Sequence, residues 1–172
     1  MRRAVTLAVY SLLWIATACK TVPMPPPTIV PVPHRLSAQA VQIAVVAGIE
    51  NRHPPATYDP RVPLSDAEFA ELMGKFPFAP RQIGWFAGPL DGDCRYALVD
   101  NGESYLKVCV RIQPEALRLE IVESRGLLQA NGRIHKTVPD WLGNLSTHLE
   151  RELLRLDEYG SVRAPKAVGR KS

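Results

Sequence analysis

The chain lacks the signatures on which most enzyme and cofactor chemistries rest. No G-x-S-x-G elbow, G-x-x-x-x-G-K-[ST] loop or G-x-G-x-x-G turn occurs in its 172 residues, so nucleophilic hydrolysis, P-loop and dinucleotide readings have no anchor. Histidine is scarce, and its four copies form neither H-x-x-x-H nor H-E-x-x-H. His34 and His53 sit among prolines, and His148 stands four residues before Glu152, the spacing of a surface helix pair. Asp91-Gly92-Asp93 lacks the further spaced acids and closing Glu of a calcium loop and reads as a turn. No metal, no cofactor and no catalytic residue is therefore expected. The longest mostly apolar run, Ala4 to Ile15, falls short of the ~20 residues that a membrane span needs. Basic residues are also scarce where a nucleic-acid binder would need them. All seventeen acids lie between Glu50 and Glu158, and residues 37–160 hold thirteen Lys and Arg against them, so the overall +4 belongs to the ends and the middle is acidic. A nucleic-acid partner is excluded on that ground.

The first nineteen residues are rich in what the remainder lacks. Arg2 and Arg3 precede the apolar run, small residues follow, and Cys19 closes the stretch, the layout of an export signal. Ala16-Thr17-Ala18-Cys19 resembles the bacterial lipobox, with Ala in the Leu-like position. That resemblance implies a signal peptide over 1–18 and a lipidated, palmitate-bearing Cys19 anchored in the membrane. Lys20, where an Asp would retain the protein at the inner membrane, implies the periplasmic side of the outer membrane. Ordinary secretory cleavage after Ala18 is the alternative. Lys20 to Leu36 carries prolines at 23, 25, 26, 27, 31 and 33. Such a composition favours polyproline II, so 19–36 is expected to be the lipidated Cys and an extended spacer.

One α+β domain is expected over 37–160. Ser37 suits the N-cap of a helix running to about Asn51, with small and β-branched residues at helical spacing. After a proline-enforced loop from His53 to Pro63, Ser65 and Glu68 have the spacing of a capping box, bracketed by Leu64 and Phe69, for a short helix from 66 to about 73, stopped by Gly74. Lys75 to Gly92 is turn-rich and aromatic. Phe76, Phe78, Trp85 and Phe86 in it are either core or a partner surface.

Asn101-Gly102 lies between two β-rich runs, a strong hairpin signal. A two-residue turn there pairs residues whose numbers sum to 203, which sets Cys94 opposite Cys109 in a hydrogen-bonded pair. With Cys19 given to lipid these are the two cysteines left, and a disulfide is expected, against two separate thiols. Ala97, Val99, Leu106, Val108, Val110 and Ile112 share the core face. A third strand follows over 116–123, giving a three-stranded antiparallel meander covered on one face by an N-terminal and a C-terminal helix, with the short helix as an insertion. Ser124 to Lys136, with a second Asn-Gly, reads as a loop or a very short hairpin. The last helix is capped by Thr137 or Val138, with Pro139 in its first turn, and ends at Gly160. Trp141, Leu145, Leu149, Leu153 and Leu156 form its stripe, and Glu150, Arg151, Glu152 and Arg155 its wet side. Residues 161–172 form a disordered basic tail. His135, just before the helix, is a candidate for a ligand contact or for capping a backbone group.

Val108-x-Val110-x-Ile112, Ser124-x-x-Leu127, Ile134-His135 and Trp141-x-x-Asn144-Leu145 together resemble a group of small uncharacterised proteobacterial envelope lipoproteins, over about residues 105–156. The resemblance implies fold and location and carries no activity. The expected role is thus a noncatalytic outer-membrane lipoprotein that binds or scaffolds another envelope protein. Contact with peptidoglycan through the aromatic stretch and the basic tail is the alternative.

Overall fold

A computed structural model describes residues 21–52, 54, 58–74, 84–129 and 131–162. Two antiparallel sheets and three helices make an α+β structure: β1 (Thr21–Pro23), β2 (Thr28–Pro31), α1 (Ala38–Glu50), α2 (Asp66–Gly74), β3 (Trp85–Asp91), β4 (Cys94–Asp100), β5 (Tyr105–Ile112), β6 (Ala116–Arg125), β7 (Arg133–His135) and α3 (Thr137–Val162). The main sheet has five strands in the order β2-β6-β5-β4-β3, and β1 pairs with β7 in a second, two-stranded sheet. The three-stranded meander is thereby corrected: β4-β5-β6 is only the middle of the sheet, and an edge strand is added on each side.

Both missed strands come from segments rich in strand breakers, and each solves the problem in its own way. In β2 and the residues after it, Val30-Pro31-Val32-Pro33 alternates donors with prolines. Val32 N–H donates to the Glu115 carbonyl (2.9 Å), and Val30, two residues earlier, stands opposite Leu117. The valines thus face the ladder and the core while the prolines, which cannot donate, take the alternate positions that need no partner strand. A stretch expected to be a spacer is in this way built into the domain. In β3 the ladder shifts register between Ala87 and Leu90, so Gly88 and Pro89 sit in a bulge. Arg95 Nη1 donates to the Gly88 carbonyl (2.9 Å), and a Cβ on Gly88 would stand 3.0 Å from Tyr96 Cβ, so glycine is what allows the bulge to close on β4.

The β4-β5 register differs by two from the expected one. Asp100 pairs with Tyr105, Tyr96 with Cys109 and Cys94 with Arg111. Side chains set the turn. Asn101 Oδ1 accepts from the N–H groups of Glu103 (3.1 Å) and Ser104 (2.7 Å), Asp100 Oδ1 accepts from Gly102 N–H (2.7 Å), and the Asn101 N–H reaches the Ser104 carbonyl (3.1 Å). Gly102 has positive φ and Asn101 does not, so a type I′ turn is absent and four residues, 101–104, make the connection. Cys94 and Cys109 become diagonal neighbours instead of opposite ones. Their Cα atoms are 5.6 Å apart, within bridging range, and the disulfide is present.

The core lies between the inner face of this sheet and a pair of helices. α1 is capped by Ser37, whose Oγ accepts from Ala40 N–H (3.1 Å), and ends at Asn51 in the left-handed region. Its β-branched residues have poor helix propensity, costing up to about 0.7 kcal/mol each relative to Ala. Burying a Val or Ile side chain returns about 1.5–3 kcal/mol. Burial wins, because Ala40, Val41 and every residue from Ile43 to Ile49 are buried between the sheet, α3 and the segment carrying Tyr58, Leu64, Phe69 and Leu72. The capping box forms as spaced: Ser65 N–H and Oγ donate to Glu68 Oε2 (2.9 and 2.7 Å), and Glu68 N–H donates back to Ser65 Oγ (3.3 Å).

α3 buries Val138, Leu142, Leu145, Leu149, Leu153 and Leu156. It departs from expectation twice. It continues through Gly160 to Val162, so the helix occupies the first two residues assigned to the tail; 163–172 lie outside the described residues. Glu152, placed on the wet side, is only 1% exposed. It lies three residues from Leu149 on the same stripe, and Arg155 Nε donates to its Oε2 (2.8 Å) while Arg151 Nε stands 3.7 Å from Oε1.

Candidate functional site

Where β2 ends, β6 continues. β2 covers only Ala116 to Leu119, and the next residues of β6 face a loop, Met24 to Pro27, that joins β1 to β2. Val32 N–H bonds Glu115, so the bonded positions are 32/115, 30/117 and 28/119, and the next would set Pro26 against Ile121. Pro26 has no N–H, and the ladder stops there. Ile121 pairs across β5 with Val108, whose backbone groups are turned to β4, so by the same alternation the Ile121 N–H and C=O point to the β2 side. A further residue, Val122, is looped out by the register shift opposite Lys107 and Val108, and is 51% exposed.

The result is a groove of about 280 Å³ walled by Met24, the three prolines, Leu119 to Val122, and Leu142 of α3. Its lining side chains are apolar apart from Glu120, which is held by Arg118 across two residues of the same strand, and main-chain groups add polar surface. The volume lies at the lower limit of small-molecule sites, about 300–1,000 Å³, and suits one or two side chains of a peptide better. Its chemistry is that of contact: apolar walls, a strand edge and no nucleophile.

The residues singled out from sequence do not meet there. Trp85 and Phe86 belong to β3, the edge strand on the opposite side of the sheet; Trp85 packs against the core across from Val99, and Phe86 stands across from Leu98. Cys94 and Cys109 are buried on the sheet face opposite to that of Ala97 and Val108, Cys94 at the start of β4. His135 pairs with Thr21 in the small sheet. Its Nδ1 lies 2.8 Å from Thr137 Oγ1 and accepts from Thr137 N–H (3.3 Å), so it caps the start of α3. Cys19, Phe76 and Phe78 lie outside the described residues.

Charge is concentrated elsewhere, at the C-terminal end of α1. Burial pushes the Glu50 carboxyl above its ordinary value, against the pull of Arg52, a hydrogen bond from Ala87 N–H on β3, and Arg95. Burial also lowers the Arg95 guanidinium, which Glu50 opposes. Desolvation raises the Tyr58 hydroxyl to about 12, helped by Asp59. Among the described residues, no group of three or more His, Cys, Asp or Glu is placed to hold a metal ion. Sequence reasoning missed the groove because it treated Met24 to Pro27 as spacer; the Val-Pro alternation just downstream was the available signal. Compared with known proteins, the chain matches no family model, no curated protein and no solved structure.

Proposed function

We propose that the chain is a noncatalytic outer-membrane lipoprotein, lipidated on Cys19 and facing the periplasm, that binds another envelope protein through the groove beside β6. The observation that carries the binding role is the interrupted edge: an exposed run of β6 with its Ile121 amide and carbonyl turned outward, beside apolar walls. An extended segment of a partner can extend a sheet at such an edge by main-chain hydrogen bonds, while the groove takes an apolar side chain. Support for export comes from the buried Cys94–Cys109 disulfide, a bond that persists in oxidising compartments.

A photoreactive amino acid at Glu120 in living cells tests the role. It should give a discrete protein adduct that disappears when the exposed groove residues Met24 and Val122 are both changed to Glu, with the abundance of the protein unchanged. An adduct indifferent to both substitutions, or none, refutes binding at this groove.

A further inference from the structure

We propose that the end of the molecule built from β1, β7 and the neighbouring residues 126–129 and Lys136 rests directly on the anionic membrane surface, so that the anchor fixes the orientation of the domain. The inference rests on the reading of Cys19 as lipidated.

Chain length is the first argument. Cys19 precedes Thr21 by two residues, and successive Cα atoms are 3.8 Å apart, so the anchored residue is held within about 8 Å of the first residue of β1. β1 is not free to pay out as a leash. Thr21, Val22 and Pro23 pair with His135, Ile134 and Arg133, and Val22 packs against the core. Arg133 grips the strand at its start, donating from Nε to Thr21 Oγ1 and from Nη2 to the Thr21 carbonyl, each at 3.0 Å. A lipid on Cys19 therefore brings the bilayer to the surface around Thr21 and leaves no spacer.

Charge is the second. From Ser124 to Pro139 the chain has no acid, while Arg133 and Lys136 are exposed beside β1 and Lys20 adjoins the anchor. The remainder of the 37–160 domain is net acidic, so among the described residues this end is the one complementary to anionic headgroups. Asp140, at the first turn of α3, is the nearest acid after the run. The same end exposes two large apolar side chains: Met24, next after β1, at 41%, and Leu128, bridged to Ile134, at 42%. Apolar side chains flanked by basic ones fit the boundary between headgroups and acyl chains.

The test uses the full lipidated protein in vesicles of phosphatidylethanolamine and phosphatidylglycerol, carrying a photoreactive amino acid at position 24, 128 or 159 in separate samples. Tyr159 is exposed near the far end of α3. Palmitate incorporation is scored on the same samples. Positions 24 and 128 should yield phospholipid adducts and position 159 should not. Lys136→Glu should lower the yield at 128 several-fold, and a flexible Gly-Ser insertion between Lys20 and Thr21 should bring it to the level of position 159. Palmitate present with equal or absent adducts at all three positions overturns the orientation and leaves the anchor standing. Absence of palmitate overturns both.

Discussion

At the scale of single residues, Gly48 shows how one missing Cβ sets the distance between two helices. A Cβ built there would stand 3.0 Å from both Leu149 Cα and Leu149 Cδ2, and 3.2 Å from the His148 carbonyl. In an exposed helix Gly to Ala is favourable by about 1 kcal/mol. Here the obstruction is backbone of a buried helix, which cannot swing aside, and overpacking of this kind costs about 1–3 kcal/mol. Gly48→Ala is expected to lower the urea midpoint despite its better helix propensity. A raised midpoint would mean that α3 can shift outward. Glu50 gives the pH dependence. Its folded value lies above the ordinary 4.5, burial outweighing Arg52 and Arg95, so its contribution to stability is complete below about pH 4.5 and is lost as pH rises through the raised value. Glu50→Gln removes the charge that burial penalises. The variant should therefore be more stable than the parent at pH 7 and converge with it toward pH 4, in urea titrations at the two values; a variant less stable at pH 7 would show that the two arginines need the carboxylate.

Among the elements, the β4-β5 hairpin carries its own clamp. The bridge closes a loop of 15 residues, for which the chain-entropy model gives about 3 kcal/mol. Cys94→Ala with Cys109→Ala should lower stability by about that amount under non-reducing conditions, and a reductant should shift the parent toward the double variant and leave the double variant unchanged. Identical midpoints for the parent and the double variant would mean that the bridge adds nothing to stability. The hairpin also shows where sequence reading succeeds and fails. The strands, their faces and the cysteine pair were legible because period-two alternation is local. The register was not, because it turned on whether Asn101 would take positive φ or spend its side chain on the amides of Glu103 and Ser104. α1 and α3 were legible from spacing and caps, and the capping box of α2 from two residues. β2 and β3 were not, since their prolines argue against strands until one knows which residues face a neighbour. Glu152 was misplaced for a related reason: a charge on a buried stripe is hidden when basic residues of its own helix close over it. The groove was not read from sequence because it is made where β2 ends early, and only the Val-Pro alternation of 30–33 hinted that a strand was there to end.

For the molecule as a whole, charge and topology agree on a division of labour. The acidic residues gather on the body, and a basic, acid-free run from Ser124 to Pro139 supplies the strand that receives β1. The helices cover one face of the main sheet, leaving the other to Tyr96, Lys107 and the disulfide, with Lys107 Nζ stacked 4.1 Å from the centre of the Tyr96 ring. The apolar openings lie at an edge and an end of the sheet, and the two proposed contacts adjoin: Met24 belongs to the wall of the groove and to the basic end alike.

The pairing of β1 with β7 and of β2 with β6 has a consequence in time. Thr21 and Arg133 are 112 residues apart in sequence, so β1 and β2 have no partner strand until β6 and β7 have been made. Contacts of such long range are slow to form. They keep the edge of the main sheet and the whole of the small sheet open until the C-terminal half of the domain is in place. The last strands to emerge act as the latch.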